Sequence, residues 1–168
     1  EPILVEPTQG ANQKNLSPSK NNGVINAGSE SNFSAGDFTN KKDPVTLETR
    51  FDDDNGQTSN YFQVDVLKVG GINVTAMSGN FDGTGTVTVH VRDGAVGSAP
   101  GTGWTQVATA TISGVAKQTF VTNFSLAAGS HTIHFSNTGD LDYNTGTGIG
   151  NVAAENSDLK IYEGHGSS

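Results

Sequence analysis

Apolar and polar residues alternate with a period of two in short runs along most of this chain, a pattern that predicts β-strands rather than helices. Runs at residues 45–51, 61–67, 71–77, 85–91, 104–112, 118–126 and 131–135 place Val, Ile, Thr, Phe or Tyr at alternate positions, as a half-buried pleated surface requires. Weaker candidates lie at residues 3–6, 23–26 and 37–39, and a last strand is expected over 158–162. Turn chemistry separates the runs: Asp52-Asp53-Asp54-Asn55-Gly56, Gly79-Asn80-Phe81-Asp82-Gly83, a Gly-rich stretch over 93–103, and Gly129. Residues 137–155 read as a long irregular loop. About eight to ten strands without a helix predict an all-β fold, a two-sheet antiparallel β-sandwich of the jelly-roll kind.

Length and composition sharpen this picture. A chain of 168 residues can bury one sizeable core, so one domain over residues 1–163 is expected, with 164–168 as a linker or tail. The 22 glycines and 33% hydrophobic residues describe a loop-rich body. The net charge of -8 opposes binding to nucleic acid or to anionic membranes, since both need clustered Lys and Arg. No run approaches the roughly 18 apolar residues of a membrane span. Cysteine is absent, which removes disulfides and thiolate chemistry together. The expectation is a secreted, extracellular monomer, stapled by calcium through its Asp- and Asn-rich loops.

Several residues carry candidate chemistry, each beside a plainer reading. Asn156-Ser157-Asp158 sets an amide and a carboxylate two residues apart, facing one way at the entry to the last strand, where they can serve a ligand and a metal or form an ordinary turn. Asp52 and Asp54 offer calcium ligands or a solvated acidic loop. Trp104 is either a stacking platform for a sugar face or a packing residue. His131 and His134, three apart on a strand, face opposite sides and cannot share a metal. His90 and His165 stand isolated in sequence, and no spacing suggests a Ser, His and acid triad.

The order of strand, Gly-rich loop with Trp104, strand, Leu-Ala-Ala-Gly-Ser-His at residues 126–131, strand, Gly-rich loop and Asn156-Ser157-Asp158-Leu159-Lys160-Ile161 resembles carbohydrate-binding modules of families 6 and 35. The resemblance covers roughly residues 61–162. It implies a noncatalytic, galactose-binding-like β-sandwich attached to a secreted glycoside hydrolase or polysaccharide lyase. It also implies a structural calcium held by Glu6 and Asp158, and sugar contact by Asn156. Two aromatics would clamp a pyranose ring in such a module. Phe120 stands near the usual place of the stacking Trp, with Trp104 one strand earlier; Phe51 or Tyr61 would supply the opposite side, and Tyr143 is a further aromatic within the Gly-rich loop.

The function expected on this basis is targeting of an attached enzyme to a neutral plant or algal polysaccharide. Two other classes are carried beside it: a structural or adhesive calcium-binding sandwich of a large extracellular protein, and a small all-β lyase or hydrolase, which predicts turnover.

Overall fold

The computed structural model describes residues 44–51, 55–97 and 102–167. Among the described residues nine strands form, in chain order: β1 (Asn55–Val66), β2 (Ile72–Asp82), β3 (Gly85–Asp93), β4 (Thr105–Ile112), β5 (Val115–Leu126), β6 (Gly129–Tyr143), β7 (Val152–Glu155), β8 (Leu159–Tyr162) and β9 (His165–Ser167). No helix occurs among the described residues. All strands lie within the unit Thr46–Ser168; of the other unit, Glu1–Val45, only residues 44 and 45 are described.

The ladders are antiparallel and run β4-β3-β6-β1-β8-β7, with β9 joining β1 beside β8 and β2 pairing with β5 and with the end of β6. Strand β6 organises this arrangement. Its first half lies between β1 and β3, where Phe135 is opposite both Asn60 and Val89. The register with β1 then jumps from Ser59↔Ser136 to Gln57↔Leu141, and Leu141 also pairs with Phe81 of β2. The residues skipped by that jump form a bulge closed by the Asn137 amide, which donates to the Asp140 carbonyl at 3.0 Å. Bulges of this kind bend a strand and let it pass between sheets. At the same place a Cβ on Gly85 would collide with the Asn137 side chain, so β3 needs glycine there.

The core forms where the inward positions of these ladders meet. Phe81, Val87 and Val89 are wholly buried, and Leu141, Val64, Val66, Ile133 and Phe135 nearly so. Strand β5 adds Phe120, Thr122, Phe124 and Leu126 at alternate positions, with exposed residues between them. Phe120 stacks on Phe135 and Phe81 meets Phe135 edge-on, at ring centroids 5.8 and 6.0 Å apart. These contacts join β2 and β5 to β6 through side chains, consistent with the expected β-sandwich.

Four expectations are corrected. Residues 45–51 carry no strand: Leu47, Thr49 and Phe51 are half-buried in alternation, so the sequence pattern there records one-sided burial without a ladder. The turn expected at 79–83 begins only at Gly83, whose φ is +111°. Gly79 instead sits inside β2, where a Cβ would come within 2.7 Å of Phe81 and 2.8 Å of Phe135. The irregular region expected at 137–155 contains nearly half of β6 and all of β7. Within the expected tail, His165–Ser167 pairs with β1 as β9. The strands expected at residues 3–6, 23–26 and 37–39 lie outside the described residues.

A histidine and aromatic row on the outer sheet face

Residues directly opposite one another in an antiparallel ladder project to the same side. Reading the registers across five strands, Gln106 of β4 is opposite His90 of β3, His90 opposite His134 of β6, His134 opposite Tyr61 of β1, and Tyr61 opposite His165 of β9. The inward neighbours Val89, Phe135 and Phe62 belong to or pack on the core, so this row occupies the other face of the sheet.

The rings in the row touch. His134 lies flat on Tyr61, with centroids 4.2 Å apart and planes 6° from parallel. His90 stacks on the other side of His134 at 5.5 Å and 21°. Trp104, just before β4, leans over both partners, 5.6 Å from His134 and 5.9 Å from Tyr61. The Arg92 guanidinium carbon sits 5.0 Å from the Trp104 ring centre, within reach of a cation–π attraction. All five residues are half-buried. His90 Nδ1 and Arg92 Nε are buried without a hydrogen-bond partner among the described residues. Burial, and after it the neighbouring His90, holds the His134 imidazole below its ordinary pKa, because both disfavour a charged ring.

Along β1 the same face becomes polar. Gln63 Nε2 donates to Asp65 Oδ1 at 2.9 Å, Ser130 donates to that oxygen at 2.7 Å, and the Tyr162 hydroxyl donates to Oδ2 at 2.7 Å. Burial pushes the Asp65 carboxyl up, but these hydrogen bonds and the nearby Lys160 charge together hold it below its ordinary value. The bond to Asp65 in turn raises the Tyr162 phenol. Lys160 is fixed by Glu155 at 2.9 Å. The segment after β3 is tied down over this face: Thr132 donates to the Gly94 carbonyl at 2.9 Å, Val96 N–H donates to Gln63 at 3.4 Å, and His165 Nε2 is 3.1 Å from the Gly97 carbonyl. The face thus places aromatic π surfaces next to fixed hydrogen-bond donors and acceptors.

The expected site residues among those described fall in five places. Tyr61 and Trp104 come together on this face. Phe120 is buried with its ring against Phe135, so it serves the core and not a cleft. Phe51 lies beneath the Lys117 ammonium, 4.3 Å from its ring centre, and Lys117 is also paired with Glu48 at 2.7 Å. Tyr143 ends β6 and covers Gly166, where a Cβ would meet its ring at 2.9 Å. Asn156 closes the β7–β8 turn: its Oδ1 accepts the N–H groups of Asp158 and Leu159 at 2.8 and 3.0 Å. This is the local backbone bonding that Asn supplies at turns.

Asp158 anchors the same turn, its carbonyl accepting from Leu67 N–H at 2.9 Å and its carboxylate from the Ser157 hydroxyl at 3.0 Å. Glu6, Asp52 and Asp54, the other expected calcium ligands, lie outside the described residues. Among the described residues no group of three or more His, Asp or Glu side chains converges as a metal site.

His131 and His134 do face opposite sides. His131 is buried, with Nδ1 3.0 Å from Asp93 and Nε2 2.9 Å from the Ala127 carbonyl. His90, isolated in sequence, is not isolated in space. It, His134 and Arg92 were the residues missed; the signal was that each occupies an outward position of an alternating strand, and only the register brings them together.

No protein-family model matches this chain, and comparison with curated proteins and with solved structures returns no match.

Proposed function

We propose that this chain is a noncatalytic carbohydrate-binding domain whose binding face is the outer sheet row of Tyr61, His134 and Trp104, and not the loop mouth at Asn156. The observation that carries the reading is the meeting of Tyr61 and Trp104, 5.9 Å apart on the polar side of the sheet, beside Gln63 and Asp65. Large aromatic rings kept out of an available core favour a contact role. The net charge of -8 favours neutral polysaccharides over sulfated or uronate-rich ones. In a secreted parent enzyme such a domain raises the effective concentration of the catalytic part at its substrate. One or two stacked sugar rings correspond to a Kd of about micromolar to millimolar.

Calcium belongs to this reading as a structural staple using the Asp158 carboxylate. Affinity gels loaded with neutral plant and algal polysaccharides test both parts, with the wild type and Trp104→Ala run in calcium and then in EDTA. Retention of the wild type but not of Trp104→Ala is the expected result. Equal migration of both proteins on every gel would favour the structural or adhesive reading, in which the Trp104 cluster only fastens the segment after β3 to the sheet. Release of reducing or unsaturated ends would favour the lyase or hydrolase.

A further inference from the structure

We propose that the face-to-face pair His90 and His134 is an acid-sensitive seat for Trp104, which holds the indole in place at neutral pH and lets it go as the pair takes up protons. The inference goes beyond carbohydrate binding and does not depend on it.

The geometry carries the argument. The His90 and His134 rings are stacked 5.5 Å apart, so two charges placed on them would face each other across a half-buried gap. Among the described residues, the groups facing this pair add no compensation. From β1 comes Tyr61, from β3 Arg92, from the segment before β4 Trp104, from β4 Gln106, from β9 His165, and on β6 itself Thr132 and Ser136. The charged member of that set, Arg92, is a cation. The carboxylate on this face of β1 is Asp65, four residues along from Tyr61 and already hydrogen-bonded to Gln63, Ser130 and Tyr162. Protonation of both rings therefore places positive charges side by side without an adjacent counterion among the described residues. Trp104 rests 5.6 Å from His134 and 5.9 Å from Tyr61, with the Arg92 guanidinium over its ring. It is thus the side chain that must shift for water to reach the charged rings.

The sign is consistent with burial. A histidine held below its ordinary pKa in the fold contributes stability above the unfolded value, near 6.5, and loses it as pH falls through the folded value. Rearrangement is accordingly expected below about pH 6.5.

Trp104 is the sole tryptophan of the chain, so its fluorescence reports its own seat. Emission of the full chain is followed from pH 8 to 4.5 while circular dichroism verifies that the strands persist. The expected result is a reversible change in Trp104 emission below about pH 6.5 with strand signal retained, abolished in His90→Gln/His134→Gln. Emission that stays constant until the strands are lost, or a transition that survives in the double variant, overturns the proposal. Should the double variant not fold, the His134 ring protons of the wild type decide by NMR: titration below the ordinary range that tracks the emission change supports the proposal, and titration at the ordinary value, or apart from the emission change, overturns it. Polysaccharide retention at pH 8 is a separate measurement, so failure of the binding reading and failure of the switch are distinguishable.

Discussion

Phe120 on β5 lies parallel to Phe135 on β6, their planes 9° apart. This stack joins two strands that share no ladder among the described residues, and it connects the β2–β5 pair to the long central strand. Replacing Phe120 with alanine removes a buried ring and leaves a cavity against Phe135, which costs about 3–5 kcal/mol. Urea unfolding followed by circular dichroism checks this. A loss below about 1 kcal/mol would mean that the site collapses readily or that the ring is not buried in solution.

Gly79 makes the same junction from the β2 side. A methyl group there meets Phe81 and Phe135 at 2.7 and 2.8 Å, so Gly79→Ala is expected to destabilise by about 1–3 kcal/mol through overpacking. Adding Phe135→Leu opens space at the contact. The double variant should therefore lose less than the sum of the single changes, a non-additivity that a double-mutant cycle measures directly.

Asn156 separates a turn role from a sugar role. Its side-chain oxygen accepts two backbone N–H groups, so Asn156→Ala should cost about 1 kcal/mol, whereas Asn156→Asp keeps the acceptor and should restore most of the stability. Polysaccharide retention should be unchanged in Asn156→Asp. Its loss in a protein of normal stability would return the binding face to the loop mouth.

Trp104→Ala should weaken polysaccharide binding by roughly 30-fold, corresponding to about 2 kcal/mol for a central aromatic contact. Quantitative affinity electrophoresis gives the ratio. Phe51→Ala, which removes an aromatic beneath Lys117 and outside this row, should leave retention unchanged.

Acid stability should depend on Asp65. Its carboxyl is held below the ordinary value of 3.8 in the fold; its contribution is therefore complete above the unfolded value and lost as pH falls through the folded one. Glu163 acts with the same sign, held down by the Gly148 N–H and then by Thr147 despite opposing burial. Unfolding free energy measured between pH 5 and about 2 should fall steeply below about pH 4 in the wild type. The slope should be shallower in Asp65→Asn. Identical slopes would show that the Ser130, Tyr162 and Gln63 bonds to Asp65 do not persist in solution.

The period-two alternation determined the fold class, because one-sided burial of a pleated strand writes itself into consecutive residues. It located the runs that became β1 to β6 and β8 and placed His131 and His134 on opposite faces. Alternation cannot tell a laddered strand from an extended segment packed on one side, and so residues 45–51 read as a strand. Turn chemistry likewise placed a break at Gly79, where the actual requirement was space for Phe81 and Phe135. Tertiary structure alone decided which residues are opposite each other. A register shift of one residue would move every side chain to the other face, and nothing local in the sequence relates His90 to His134 or Tyr61 to His165. The candidate site is built from such pairings across β3, β6, β1 and β9, whereas the motif legible in sequence, Asn156-Ser157-Asp158, is stabilised by local hydrogen bonds and forms a turn.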